Sequence, residues 1–204
     1  MSKTGAAFSV RFLRNGDQIT VVRNVIDSAG NGAALFQVVD TSTGTPTPDW
    51  TQTENQPIIQ LGIRSAAGYP TEITNVAWAY DGVTMNFTYN GSNWVTANND
   101  SRFQARINGN YYELKIVNNL ASKDVVSNKQ ISYEISYVSN AHSDSLQGSI
   151  DVLIQHAGSD SHNLQITTNL VELDASNNEA TLTAVAYYGS TPVSIGTNGH
   201  AIEW

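Results

Sequence analysis

A chain of 204 residues with 10 basic and 18 acidic side chains carries a formal net charge of −8 and has room for one large or two small domains. Charged residues make up 14% of it, against about 25% in an average soluble protein, and Asn, Ser and Thr occupy 60 positions instead. A sequence pI near 4.7 argues against a nucleic-acid binder that works by neutralising phosphates. The absence of cysteine excludes disulfides and thiolate sites, and no apolar run approaches the roughly 18 residues of a spanning helix. Met1 to Val10 contains no signal-peptide core.

Taken in chain order, the elements read as short strands joined by tight turns. Asn-Gly or Asp-Gly occurs at Asn15-Gly16, Asn31-Gly32, Asp81-Gly82, Asn90-Gly91, Asn108-Gly109 and Asn198-Gly199. Such pairs tolerate the positive φ of a type I′ turn and mark hairpins. The flanking runs are Phe8 to Leu13 with Gln18 to Val22, Val76 to Tyr80 with Val83 to Phe87, and Phe103 to Ile107 with Tyr111 to Val117. Ile59, Leu61 and Ile63, then Ile131, Tyr133, Ile135 and Tyr137 alternate with polar or small residues, and Ile150, Val152 and Ile154 alternate with Asp151, Leu153 and Gln155. A period of two means strands with one dry face and one wet face. No stretch carries a capped 3.6-residue period. The expected fold class is all-β: immunoglobulin-like β-sandwiches of short antiparallel strands.

Composition sets the expected boundaries. Residues 40–57 (DTSTGTPTPDWTQTENQP) are rich in Thr and Pro and read as an extended connector, and Ala157 to Asn163 form a second polar stretch. The expected division is an N-terminal attachment segment and connector over 1–50, one sandwich over 51–157, and the start of a second over 158–204. The two later pieces share a pattern: an alternating strand, a Gly turn (Gly68, Gly189), a Pro (Pro70, Pro192), then a strand bearing Trp78 or Trp204. In an immunoglobulin-like sandwich such a Trp fills the space between the sheets, usually against a disulfide. Here Trp78 has to do so among aliphatic side chains. Trp204 would hold the same place in a second sandwich, so further sandwich sequence is expected after it.

Tests for chemistry find little. His156, Asp160 and His162, with His142 and Asp144, offer zinc ligands but match no strong zinc spacing. Asp174 to Glu179 and Asn98 to Asp100 are oxygen-rich without a calcium-loop repeat. No carboxylate pair, Gly-x-Ser-x-Gly turn or phosphate-cradling loop stands out. The expectation is a non-enzyme with no cofactor and no metal. The aromatics carry more weight. Trp50 sits in a connector with little core, and Leu35 and Phe36 lie in a piece too small to bury them, so all three are candidates for docking on a larger partner. Trp94, Tyr111 and Tyr112 lie near turns, where aromatics stack on sugars or anchor interfaces.

Several segments, in order along almost the whole chain, resemble immunoglobulin-like virion proteins of Bacteroidetes-infecting tailed phages, the crAss-like group among them. They are Phe8-Ser-Val-Arg-Phe-Leu-Arg-Asn-Gly-Asp17, Ala34-Leu-Phe-Gln37, Pro48-Asp-Trp-Thr51 with Asn55-Gln-Pro57, and Val76-Ala-Trp-Ala-Tyr-Asp-Gly82. Leu114-Lys-Ile-Val-Asn-Asn-Leu-Ala121 and Ala180-Thr-Leu-Thr-Ala-Val-Ala-Tyr-Tyr-Gly189 complete the set. The resemblance implies a structural head or tail fibre or decoration, made in the host bacterial cytoplasm and located on the virion. It would dock on capsid, tail or fibre proteins or on sister copies, without nucleic-acid binding or membrane insertion. The alternative is a carbohydrate-binding adhesin module that meets host surface glycans through Trp94, Tyr111 and Tyr112.

Overall fold

The computed structural model describes residues 18–125, 127–140, 142–158, 162–168, 182–188 and 191–193. The protein is all-β, and the described strands form three sheets. The first holds β1 (Ile19–Ile26), β4 (Ile58–Ser65), β9 (Tyr111–Ile116), β8 (Asp100–Asn108) and β7 (Val95–Ala97), in that spatial order. The second runs β3 (Pro46–Thr47), β2 (Phe36–Asp40), β11 (His142–Ala157), β10 (Lys129–Ser139), β5 (Thr71–Tyr80) and β6 (Val83–Met85). The third is β12 (His162–Thr168), β13 (Leu182–Tyr188) and β14 (Thr191–Val193).

The first two sheets face each other as a β-sandwich, and alternation builds the core between them. Ile59, Leu61, Phe103, Ala105, Leu114 and Ile116 come from one sheet; Val76, Trp78, Tyr80, Ile131, Ile135 and Val152 come from the other. Trp78 is 1% exposed and meets Tyr133 edge-on, ring centroids 6.1 Å apart. Tyr80 bridges the sheets to Phe103 at 5.2 Å. Rings and aliphatic groups therefore join the sheets where a disulfide otherwise would. Trp204, its expected counterpart, lies outside the described residues.

The hairpin signals vary in how closely they match the turns. Asp81 and Gly82 both have positive φ, 47° and 79°, as a type I′ turn between β5 and β6 requires. Between β8 and β9 the loop is Gly109-Asn110, because Asn108 is already paired with Tyr111. Gly109, at φ 59°, takes the first central position, as a type II′ turn needs. Asn15-Gly16 and Asn198-Gly199 lie outside the described residues.

The division expected at residue 50 is corrected. β1 pairs with β4 along its whole length, from Ile19 opposite Ser65 to Ile26 opposite Ile58. β2 lies inside the second sheet, parallel to β11, with Phe36 opposite Leu153 and Asp40 opposite Ala157. Residues 18–50 thus supply strands to both layers of the sandwich. The Thr- and Pro-rich stretch is part of it as well. Its polar side chains cap turns: the Asp40 carboxylate accepts from the amides of Ser42 and Thr43, and Asp49 from Thr51. Trp50, the expected docking residue, is wholly buried in the main core.

Leu35 and Phe36 are likewise corrected from docking candidates to core residues. Leu35 joins the main cluster. Phe36, 1% exposed, packs with Val38, Ala157 and Tyr187 of β13, the two rings 5.8 Å apart. On the other face of β2, Val39 packs against Ala121 and Ile154. A strand buried on both faces needs an unbroken apolar run, and Leu35-Phe36-Gln37-Val38-Val39 nearly is one. The larger body these residues dock on is the chain itself.

Tyr89 makes one property of this core measurable. Its ring meets Tyr112 edge-on at 5.4 Å, its hydroxyl donates to the Val76 carbonyl at 3.4 Å, and burial pushes the phenol up to about 12. An unfolded tyrosine ionises near 10. Above that pH the unfolded chain releases a proton that the folded chain retains, so the stability from Tyr89 is complete below about pH 10 and is lost as pH rises toward 12. Urea midpoints should fall steeply between pH 10 and 12, and Tyr89→Phe should flatten that fall. A midpoint that does not depend on pH over this range would contradict the burial.

Candidate functional site

The outer face of the five-stranded sheet carries the most organised polar cluster among the described residues. Phe103, Ala105, Leu114 and Ile116 turn into the core, so Gln104, Arg106, Asn108, Tyr111, Glu113 and Lys115 stand on the opposite face. Strand register then aligns side chains from four strands in one row: Asn24 opposite Gln60, Gln60 opposite Glu113, Glu113 opposite Arg106. Val95 is opposite Ala105, which places Trp94, one residue earlier, beside Arg106 at the end of the row.

Glu113 is the centre of that row and is 1% exposed. Its Oε2 accepts from Arg106 Nε at 2.6 Å; its Oε1 accepts from Gln60 Nε2 at 2.7 Å and Asn108 Nδ2 at 3.0 Å. A buried carboxylate is tolerated when a cation and further donors satisfy it, and these three supply both. Glu113 is thereby a fixed structural anion that holds Arg106 in place.

Trp94 lies over two cations. Arg106 Cζ is 4.3 Å from its ring centroid and Lys115 Nζ is 4.4 Å away. Both rise from the sheet face, so they hold the indole across the strands through cation–π attraction. Lys115 is only partly exposed; burial, then the charge of Arg106, holds its ammonium below the usual lysine range. Among the described residues no carboxylate pairs with it, in contrast to Arg102 with Asp100 and Lys129 with Asp81. Tyr111 stands two residues from Glu113 on the same face and lies over Gly62, where a Cβ would meet its ring at 2.9 Å. Any larger residue at 62 would displace that ring.

The structure thus brings two of the three predicted glycan-contact residues, Trp94 and Tyr111, to one face. Tyr112 is a correction: it is 8% exposed and packs in the core against Tyr89. Neighbours on a strand point to opposite sides, so Tyr111 and Tyr112 cannot serve the same surface. Comparison with protein-family models, curated proteins and solved structures gives no match.

The metal candidates are placed as follows. His156 Nε2 lies 2.9 Å from the Val125 carbonyl, and Asp160 falls outside the described residues. Asn99 bridges two segments, its amide nitrogen donating to the Thr84 carbonyl at 2.7 Å and its oxygen accepting from the Asn86 amide at 2.9 Å. Asp100 holds Arg102 through both carboxylate oxygens, at 2.9 and 2.7 Å. These groups have structural work within the fold. Among the described residues no group of three or more His, Asp or Glu is placed to hold a metal.

Sequence reasoning missed Arg106, Glu113, Gln60 and Lys115. The period-two pattern of 103–108 and 111–116 puts Arg106, Glu113 and Lys115 on one face and was readable. Gln60 joins them only through the pairing of β4 with β9, which no local signal announces.

Proposed function

We propose that this protein is a non-enzymatic structural component of a tailed-phage particle, a head or tail fibre or decoration that displays β-sandwiches at the particle surface. The order-preserving resemblance along the chain supports the particle. The structural observation in its favour is the seating of the third sheet on the sandwich. β11 ends at Ala157 and β12 begins at His162, a short connection, and Phe36 and Tyr187 meet in a buried cluster with Val38 and Ala157. Successive strand units coupled by buried contacts, rather than by a slack linker, suit a projecting element that keeps its direction.

The attachment role first expected for residues 1–50 changes accordingly, since 18–50 form part of the sandwich. The partners are other virion proteins and sister copies, met through surfaces of the folded unit. Gradient-purified particles from the source culture, analysed by mass spectrometry and immunogold labelling, should contain the chain at fixed stoichiometry and be labelled at regular positions. Recovery of the chain only in the particle-free fraction would overturn the reading.

A further inference from the structure

We propose that the outer face of the five-stranded sheet binds an acidic oligosaccharide, with Trp94 as its stacking platform and Lys115 as the partner of its carboxylate or sulfate. This goes beyond the particle reading, which names no ligand, and it holds or fails independently of it.

The geometry of Trp94 comes first. An aromatic side chain near a turn usually turns into the core, as Tyr89 and Tyr112 do here. Trp94 instead remains on the outer face, with Arg106 and Lys115 both against its indole. The indole is partly exposed. A flat ring already fixed in place loses little freedom when a pyranose stacks its C–H groups on it. Tyr111 offers a second ring on the same face, fixed by its contact with Gly62. Tyr111 and Lys115 are four residues apart on one strand, roughly 13 Å, which accommodates a short oligosaccharide.

The charge pattern selects the sugar. Glu113 and Arg106 neutralise each other inside the polar row, which leaves Lys115 as a net positive charge in a chain whose overall charge is −8. Its ammonium is partly desolvated and lies against Trp94 without a carboxylate partner among the described residues. One such cation beside a stacking ring matches one acidic group beside a sugar ring. A nucleic acid would bring several phosphates to this single cation and meet repulsion from the rest of the chain.

The test uses the full chain and a panel of oligomers of galacturonate, alginate, sialic acid and sulfated chondroitin. Neutral dextran and galactan oligomers and oligo(dT) are the comparators, and binding is read by calorimetry and tryptophan fluorescence. At least one acidic oligomer should bind saturably and more tightly than any comparator. Trp94→Ala should weaken that binding roughly tenfold, while Trp94→Tyr retains most of it. Lys115→Gln should reduce it to the level of the neutral oligomers. Circular dichroism establishes that each variant is folded, and Lys115→Gln tests the site should Trp94→Ala fail to fold. The proposal is overturned if no acidic oligomer binds, if neutral oligomers bind equally, if oligo(dT) binds most tightly, or if a folded Trp94→Ala or Lys115→Gln variant binds unchanged.

Discussion

A chain beginning at Thr51 is expected to show no cooperative unfolding transition. The cut removes β1, β2 and β3 together with Trp50. β4 then becomes the edge of its sheet, and the last five residues of β11 lose the partner strand that covers them. Leu35, Phe36, Val38, Val39 and Trp50, all buried, leave the core with those strands. Burying a large apolar side chain is worth about 1.5–3 kcal/mol, while a whole domain is stable by only about 5–15 kcal/mol. Five such losses, with the ladder bonds of two strands, match or exceed the total. Circular dichroism during thermal melting and the dispersion of amide proton shifts are the measurements. A cooperative transition within a few degrees of that of the full chain would show that residues 18–50 are an appendage after all. The same reasoning bears on particle assays. Loss of attachment after this truncation would report an unfolded protein and would say nothing about which surface meets the particle.

The strands that alternate were legible, and so was the tight turn at Asp81-Gly82. In Ile131, Tyr133, Ile135 and Tyr137 each inward residue is separated by an outward one, and β10 has those residues buried. β2 was not legible as a core strand for the opposite reason. Buried on both faces, it has no wet side to give it a period, and its partner in β11 lies more than a hundred residues later. Trp50 was misread through composition. Thr, Asp and Pro around it resemble a solvated linker, yet they build the turns that carry the indole into the core. The candidate site divides the same way. Trp94 and Tyr111 could be picked out as aromatics near turns, but Tyr112 showed the same signal and only strand register separates it from Tyr111. The position of Glu113 beside Arg106 was readable, but its burial was not, because its donors come from two strands far apart in the chain: Arg106 and Asn108 on β8, and Gln60 on β4.

Gln37→Leu is expected to be among the most destabilising single substitutions in the chain. Leucine has nearly the volume of glutamine, so the substitution tests hydrogen bonding with little change in packing. Gln37 is fully buried and uses its whole amide. Its Nε2 donates to the Pro48 carbonyl at 2.9 Å and to Asn119 Oδ1 at 2.5 Å; its Oε1 accepts from the amides of Leu120 and Ala121, both at 3.0 Å. Those bonds tie β2 to the loop bearing Trp50 and to the segment after β9. Leucine would leave two backbone amides, a carbonyl and part of the Asn119 oxygen without these partners. An unsatisfied buried group costs about 1–3 kcal/mol, so the expected loss is about 4 kcal/mol or more, a large share of a domain's stability. Urea denaturation measures it as a lowered midpoint at unchanged slope. The network also supplies a local readout. The Asn119 amide donates to Asp49 at 2.7 Å and holds that carboxyl below the usual aspartate range. Stability from Asp49 is therefore present above about pH 4 and is lost as pH falls through its lowered value. With Gln37 gone, Asn119 is less firmly held, and the Asp49 carboxyl should titrate closer to an ordinary aspartate by NMR. A loss below about 1 kcal/mol together with an unmoved Asp49 titration would mean that water replaces Gln37 and that the loop carrying Trp50 is held by apolar contacts alone.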